Sequence, residues 1–470
     1  MTFSLKLRIV AVALIAMMPL LLTDSQPLAP AKAGTIRAPG GTAVAHHAGG
    51  KRVSSKRVKK AAPRGVHYPV GANALEPTMG VAKNGDVFYI ATPSLGAEVM
   101  KSTNNGKSWK AASPNIAGQN SHPVTLDPYI YIDKWTQRIF TIDLTVACSY
   151  LSFSDDGGSS WTTNPLACGA PVNDHQTLFS GPPVSSTPVG HENLVYYCYN
   201  MVASATNCTK SLDGGITFAP TGRPAYNGYA PEEGDPNGCA GLNGHGVVGY
   251  DGAVYVPKET CNQPLLLISK DEGVSWTSSR VSSKDAVWGP DPSIAVDAKG
   301  NLYYVFIAEK DRLPYLATSK NGGKSWSAPL MVGSPGLTET VHATVDVGAP
   351  GKVAIAYYGT DDVKGKIATR KYTDATWNGY MTMTTNALAK RPLFYSAPIN
   401  GPAQPLMKGA CGPRRCYDAL DFIDVVVGSD GTPWSAFVAN CFKDVCPAPN
   451  PPAGETTGLV GRLVGGPKLR

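Results

Sequence analysis

Charge is scarce in this 470-residue chain: Asp, Glu, Lys and Arg together make up 16%. Several long helices with solvated faces would need more Glu, Lys and Ala than this. Long apolar runs are missing after residue 22, so no later segment approaches the roughly 20 apolar residues of a membrane-spanning helix. Acids are absent between residues 34 and 65, where eight basic side chains stand among Gly, Ala and Ser. That composition predicts a disordered basic linker over 34–65. Turn formers are abundant, with 50 glycines and 39 prolines, and they point to an all-β chain of short strands.

Lys6 and Arg8 precede an apolar run from Ile9 to Leu22, and Ala31-Lys32-Ala33 stands before Gly34. This is the pattern of a cleaved signal peptide over 1–33, so the protein is expected to be secreted. Residues 1–65 carry eleven cations and one acid, Asp24, whereas the whole chain is only +7. The remainder, 66–470, is therefore slightly acidic, which argues against a nucleic-acid partner. The basic tail would suit contact with an anionic cell wall or surface. A monomer is expected.

Ten cysteines in an exported chain read as disulfides. Their local spacing pairs Cys148 with Cys168, Cys198 with Cys208, and Cys239 with Cys261. Cys411, Cys416, Cys441 and Cys446 form two C-x4-C units whose connectivity stays open. Without histidine nearby, no metal site is expected there.

One pattern recurs five times: Ser, Asp or Asn two residues on, then Gly, Ser or Thr, and an aromatic. The copies are Ser102-Asn104-Gly106-Ser108-Trp109, Ser154-Asp156-Gly158-Ser160-Trp161 and Ser211-Asp213-Gly215-Thr217-Phe218. Ser269-Asp271-Gly273-Ser275-Trp276 and Ser319-Asn321-Gly323-Ser325-Trp326 complete the set, with starts 52, 57, 58 and 50 residues apart. Each is a stiff turn: the Asp or Asn oxygen accepts backbone N–H groups, Gly takes a positive φ, and the ring wedges between neighbouring units. Five equivalent carboxamides and carboxylates read as structural, since catalysis needs one constellation. Upstream of each copy lies an apolar strand–turn–strand signal, such as Val81 to Ala91 around Asn84-Gly85. Seven such hairpins are legible, with a decayed sixth copy expected near Thr369 to Trp377.

The repeat is the Asp box, or bacterial neuraminidase (BNR) repeat, and residues 66–470 resemble the sialidase-like β-propeller superfamily. The resemblance implies a β-propeller of four-stranded antiparallel blades; about 58 residues per blade prefers seven blades, with six the alternative. It also implies a glycoside hydrolase. Family sites use three arginines for the sialic acid carboxylate, an Asp acid/base and a Tyr–Glu nucleophilic pair. The Arg-Ile-Pro motif of the first blade is missing here, and no inner-strand start is an arginine.

Innermost strands of a propeller start at one mouth of its channel. Glu76, Asp127, Asp174, His175, His245, Asp291, His342 and Asp421 fall at or beside such starts. Crowded carboxylates repel, so one can keep a proton and act as general acid while another serves as base or nucleophile. Glu76, Asp127, Asp291 and Asp421 are the candidate catalytic residues. Asp174, His175, His245 and His342 are candidate substrate ligands. The longest insertion, 388–417, brings Arg391, Arg414 and Arg415 as candidates for binding a sugar carboxylate. No cofactor is expected, apart from a structural calcium considered at the acidic loop Pro231–Asp235. Carbohydrate is the expected partner. The readings carried forward are a sialidase-like hydrolase, a polysaccharide lyase with His175, His245 or His342 as base, and a non-catalytic glycan- or protein-binding module at the cell surface.

Overall fold

The computed structural model describes residues 39–470 except 93–96, 115–126, 146–147, 167–172, 202–204, 228–240, 290, 402–403, 410, 413, 417–418 and 442–455. The leader, the loop Pro231–Asp235, Cys168, Cys239, Cys446 and the side chain of Cys148 lie outside the described residues. No described helix is long and apolar enough to cross a membrane.

Alternating apolar hairpins build a β-propeller whose described strands form seven antiparallel sheets. Their innermost strands are Met79–Val81, Pro128–Ile132, Asn173–Gly181, Val247–Val248, Ser293–Val296, Glu339–Val347 and Asp424–Val427. Each innermost strand contacts the next, and the last contacts the first. Tyr and Phe rings fill the layers between sheets; Tyr89, Tyr196, Tyr255, Tyr304 and Tyr358 are fully buried or nearly so.

The five repeated turns share one hydrogen-bond pattern at the outer end of the third strand. Ser102 Oγ donates to Asn104 Oδ1 (3.1 Å), while Ser108 N and Gly106 N donate to Asn104 Oδ1 and Ser102 Oγ (3.0 Å each). Asp156, Asp213, Asp271 and Asn321 make the same set. Hydrogen bonds from Ser160 hold the Asp156 carboxyl well below its ordinary value, so it remains an acceptor. The sixth turn is not where the sequence reading put it. It lies after the third strand Thr376–Thr384, where Thr384 Oγ1 donates to Asn386 Oδ1 (3.0 Å) and Leu393 N reaches the same oxygen (3.0 Å). The longer gap from 386 to 393 hides it from a search at fixed spacing.

The basic segment expected to be disordered is folded from Pro39. Strand Arg64–Pro69 is the fourth strand of the seventh sheet, paired with the C-terminal strand Thr457–Val464. Strand Pro39–Thr42 extends that sheet, and Val44–His47 extends the sixth by pairing with Phe394–Pro398. Composition missed this because Lys51, Arg52, Lys56, Lys59, Lys60 and Arg64 are exposed while Ala43, Ala45 and His46 are buried. Glycine permits the close approach. A Cβ on Gly65 would stand 2.0 Å from Pro398 O. Gly65→Ala should therefore unseat the segment and lower the melting temperature by several degrees, measured by calorimetry; an unchanged melt would show the contact to be slack.

Two disulfides are described, Cys198–Cys208 and Cys411–Cys416. The first joins directly opposed strand partners, as the sequence spacing predicts. The second closes the first C-x4-C unit on itself. Cys261 and Cys441 are also disulfide-bonded.

Candidate functional site

Four innermost-strand starts place a non-glycine residue in the left-handed region: Glu76 (φ 45°), His175 (48°), Asp291 (57°) and His342 (56°). Such conformations cost about 1–3 kcal/mol each and persist only where the surroundings impose them. Two residues after each stands a hydroxyl: Thr78, Thr177, Ser293 and Thr344. Three of these accept a backbone N–H from the next sheet: Thr78 from Ile130 (2.6 Å), Thr177 from Gly246 (2.9 Å) and Ser293 from Val345 (3.1 Å). This stitching sets a common level for the mouth. Counting back three residues from Ile130, Gly246 and Val345 gives Asp127, Asn243 and His342. The fourth sheet thus presents Asn243, and His245 sits one layer deeper, contrary to the expectation that it belongs to the mouth. The glycines on either side of His245 left that register unreadable.

His175 is the hub of the ring. Its Nδ1 lies 2.8 Å from Asp291 Oδ1, and its Nε2 lies 3.5 Å from Asp421 Oδ2 and 4.0 Å from Asp174 Oδ1. Burial alone would lower the His175 pKa, but Asp291 and Asp421 raise it well above 6.5, so the ring is cationic at neutral pH. Burial pushes Asp291 up to about 6 against the pull of His175. Asp421 is held well below its ordinary value, despite burial, by His175 and by Arg415 Nη1 at 2.6 and 2.8 Å from its two oxygens.

Across the ring, Glu76 and Asp127 hydrogen-bond to one another through their side chains. Burial, then the Asp127 charge, raises Glu76 well above its ordinary value; burial also raises Asp127, against that shared bond. Both carboxyls are thus pushed towards sharing one proton across their common hydrogen bond. Glu76 Oε1 also receives Asp421 N (2.9 Å).

The described part of the 411–421 segment lies against the ring. Arg415 pairs with Asp421, Cys416 N donates to His342 Nε2 (3.1 Å), and Ala419 O accepts Glu76 N (3.2 Å). Below the ring, Phe422 packs edge-on to His245 at 4.8 Å. The void between them and the mouth is only about 10 Å³. Burial lowers His245 to about 3 and His342 to about 4, so both are neutral imidazoles.

A second cluster escaped the sequence reading. Arg370 Nη1 bonds Glu339 Oε2, and Arg312 Nε stands 3.9 Å from Glu339 Oε1. The Arg312 guanidinium covers the Trp288 ring at 3.2 Å, and Arg414 approaches that ring at 5.3 Å. Tyr372 hydrogen-bonds the same carboxyl, which burial raises to about 7 against Arg370. Arg312 and Arg370 come from loops between second and third strands. A search for charges at those hairpin tips, besides the inner-strand starts, would have found them. Arg391 lies in the sixth turn, between Thr384 and Phe394. Strand direction puts that turn at the opposite end from the ring, so Arg391 does not join it. The 388–417 insertion is likewise divided by strands Phe394–Pro398 and Met407–Lys408. Among the described residues, no group of three or more His, Cys, Asp or Glu is arranged to hold a metal ion.

No family model and no curated protein matches the chain. Among solved structures it is similar to a protein of unknown function from Dyadobacter fermentans, at 14% identity over 85% of this chain and 98% of that one, TM-score 0.43. It is similar to a Hadza microbial sialidase at 15% identity over 63% and 66% of the two chains, TM-score 0.41. The polysaccharide lyase Uly1 matches at 10% identity over 84% and 90%, TM-score 0.47. Likeness at this level decides nothing about activity.

Proposed function

We propose that the chain is an exported, sialidase-like propeller of seven blades, one per sheet, that hydrolyses glycans at the mouth formed by Glu76, Asp127, His175, Asp291 and Asp421. The Glu76–Asp127 pair carries the reading. One carboxyl keeps its proton and its neighbour stays anionic, which is the division of labour that glycoside hydrolysis needs. Glu76 is the general acid and Asp127 or Asp291 the partner carboxylate. Arg312, Arg370 and Arg414 around Trp288, with the Tyr372–Glu339 pair, favour a sugar bearing a carboxylate. The seven closing contacts of the inner strands support the blade count. The apolar leader and the disulfides support export.

The lyase reading loses support on three counts. His175 is protonated, His342 Nε2 is occupied by Cys416 N, and His245 lies beneath the mouth. A glycan-binding module without catalysis is the second reading, favoured by the cover that residues 411–421 lay over the ring.

The test is product analysis by mass spectrometry, with the exported form incubated with sialosides, uronate polysaccharides and neutral glycans. Fragments carrying an added water, lost in a folded Glu76→Gln, Asp127→Asn, Asp291→Asn triple variant, are expected. Removing this machinery should lower the rate at least about 1,000-fold. Unsaturated fragments would move the assignment to a lyase. Binding without any product would leave the module.

A further inference from the structure

The channel opens at the face opposite the ring. All seven sheets line a well of about 240 Å³ there, and every loop from residue 39 onward at that end belongs to the described residues. The edge-on pair His245 and Phe422 separates it from the small void under the acidic ring. It is therefore a blind pocket, about 15 Å deep from Tyr250 at the rim to His245 at five residues of strand rise. Its walls mix apolar side chains such as Val81, Ile132 and Val296 with polar ones such as Tyr131, Ser180 and Thr344.

Its two ends differ in charge. At the rim the Lys134 ammonium sits over two aromatic faces, 4.1 Å from the Trp135 ring centre and 4.5 Å from that of Tyr250. It makes no hydrogen bond to any described residue. Arg470 lies close enough to repel it, and the one Arg470 face in use reaches Val427 O and Gly428 O (3.0 and 2.9 Å). Asp346 and Asp133 are the acids that face Lys134, yet neither forms an ion pair with it, so its ammonium and the remaining Arg470 face stay open to an anion. Deeper in, Asp424 accepts Met79 N and Val425 N (3.0 and 2.8 Å) and retains further lone pairs. At the closed end His245 Nε2 has no hydrogen-bond partner among the described residues. Buried polar groups of this kind find partners in a filled site.

We propose that this well is a second binding site, chemically separate from the acidic mouth, for a slender molecule with an anionic group at one end and a hydrogen-bond donor at the other. The anion meets Lys134 and Arg470, the apolar middle lies along the Val and Ile side chains, and an amine or hydroxyl reaches Asp424 and His245. The volume admits about eight water-sized units, which suits a linear ligand of about nine non-hydrogen atoms.

Calorimetric titration at pH 7 with 6-aminohexanoate tests it, beside hexanoate and hexylamine, each carrying only one end. Saturable 1:1 binding at roughly millimolar strength or tighter is expected for the two-ended probe. Each single-ended probe should bind at least about tenfold more weakly, a difference of about 1.4 kcal/mol. Lys134→Met should remove the advantage over hexylamine, and Asp424→Asn the advantage over hexanoate. Melting curves verify that both variants are folded. No saturation up to about 20 mM, or equal binding by folded Lys134→Met, overturns the proposal and leaves a water column. A glycan panel without products does not bear on it, because the two sites share no charged residue.

Discussion

A chain beginning at Gly71 should melt at least about 10 °C below the full protein, or aggregate on heating. It lacks Arg64–Pro69, the strand that closes the ring. That strand pairs with the C-terminal strand at six positions, from Val464↔Arg64 to Leu459↔Pro69. Its loss removes backbone hydrogen bonds worth about 1 kcal/mol each and turns Thr457–Val464 into an open edge that invites pairing between molecules. The segment also bridges two sheets, because His67 Nδ1 lies 3.0 Å from Ile399 O beside the sixth. A chain beginning at Arg64 keeps the closing strand and loses only Pro39–Pro63, so its melting temperature should fall less. Calorimetry on the three lengths decides it. A chain from Gly71 that melts like the full protein would remove the closing role.

His175→Ala should cost about 3–5 kcal/mol at pH 8, since it leaves Asp291 and Asp421 buried without their common cation. The cost should shrink at pH 5, where Asp291, raised to about 6, takes up a proton. In the unaltered protein the sign is also fixed. A histidine raised above 6.5 contributes its full stability below 6.5 and loses it as pH rises through its folded pKa. Asp291 and Glu76 are raised acids, so ionising them in the fold is costly, and stability falls as pH climbs from their unfolded values up to their folded ones. All three therefore make the protein more stable at pH 5.5 than at pH 8.5. Glu76→Gln, which stays neutral and keeps an acceptor for Asp421 N, should flatten that slope. Denaturant melts across pH 5–9 measure both effects. Equal losses for His175→Ala at pH 5 and pH 8 would mean that the imidazole is not charged in the fold.

Much of the architecture was legible because it is local. Ser-x-Asp-x-Gly-x-Ser makes its hydrogen bonds within seven residues, so each of the five turns reads without knowledge of the rest. Cys198 and Cys208 sit opposite one another on hairpin strands, and short separation is enough to pair them. Glu76, Asp127, Asp291 and His342 were found because the distance from a glycine turn back to a strand start is set by strand length alone.

What needed the tertiary structure was every relation between distant hairpins. Nothing in Arg312, Glu339 and Arg370 taken singly says that they meet, because loops from two sheets bring them together. Arg391 lies within the 388–417 stretch that reads as one insertion, yet strand direction sends it to the opposite face. Asn243 took the mouth position assigned to His245 because only hydrogen bonds between sheets reveal the register. The basic stretch from Pro39 looked unfit for a core, and it folds because it completes sheets whose other strands lie more than 300 residues away. Turn chemistry and period 2 act over a few residues and are written in the chain; which charges share a proton depends on ring closure, and that depends on all seven sheets at once.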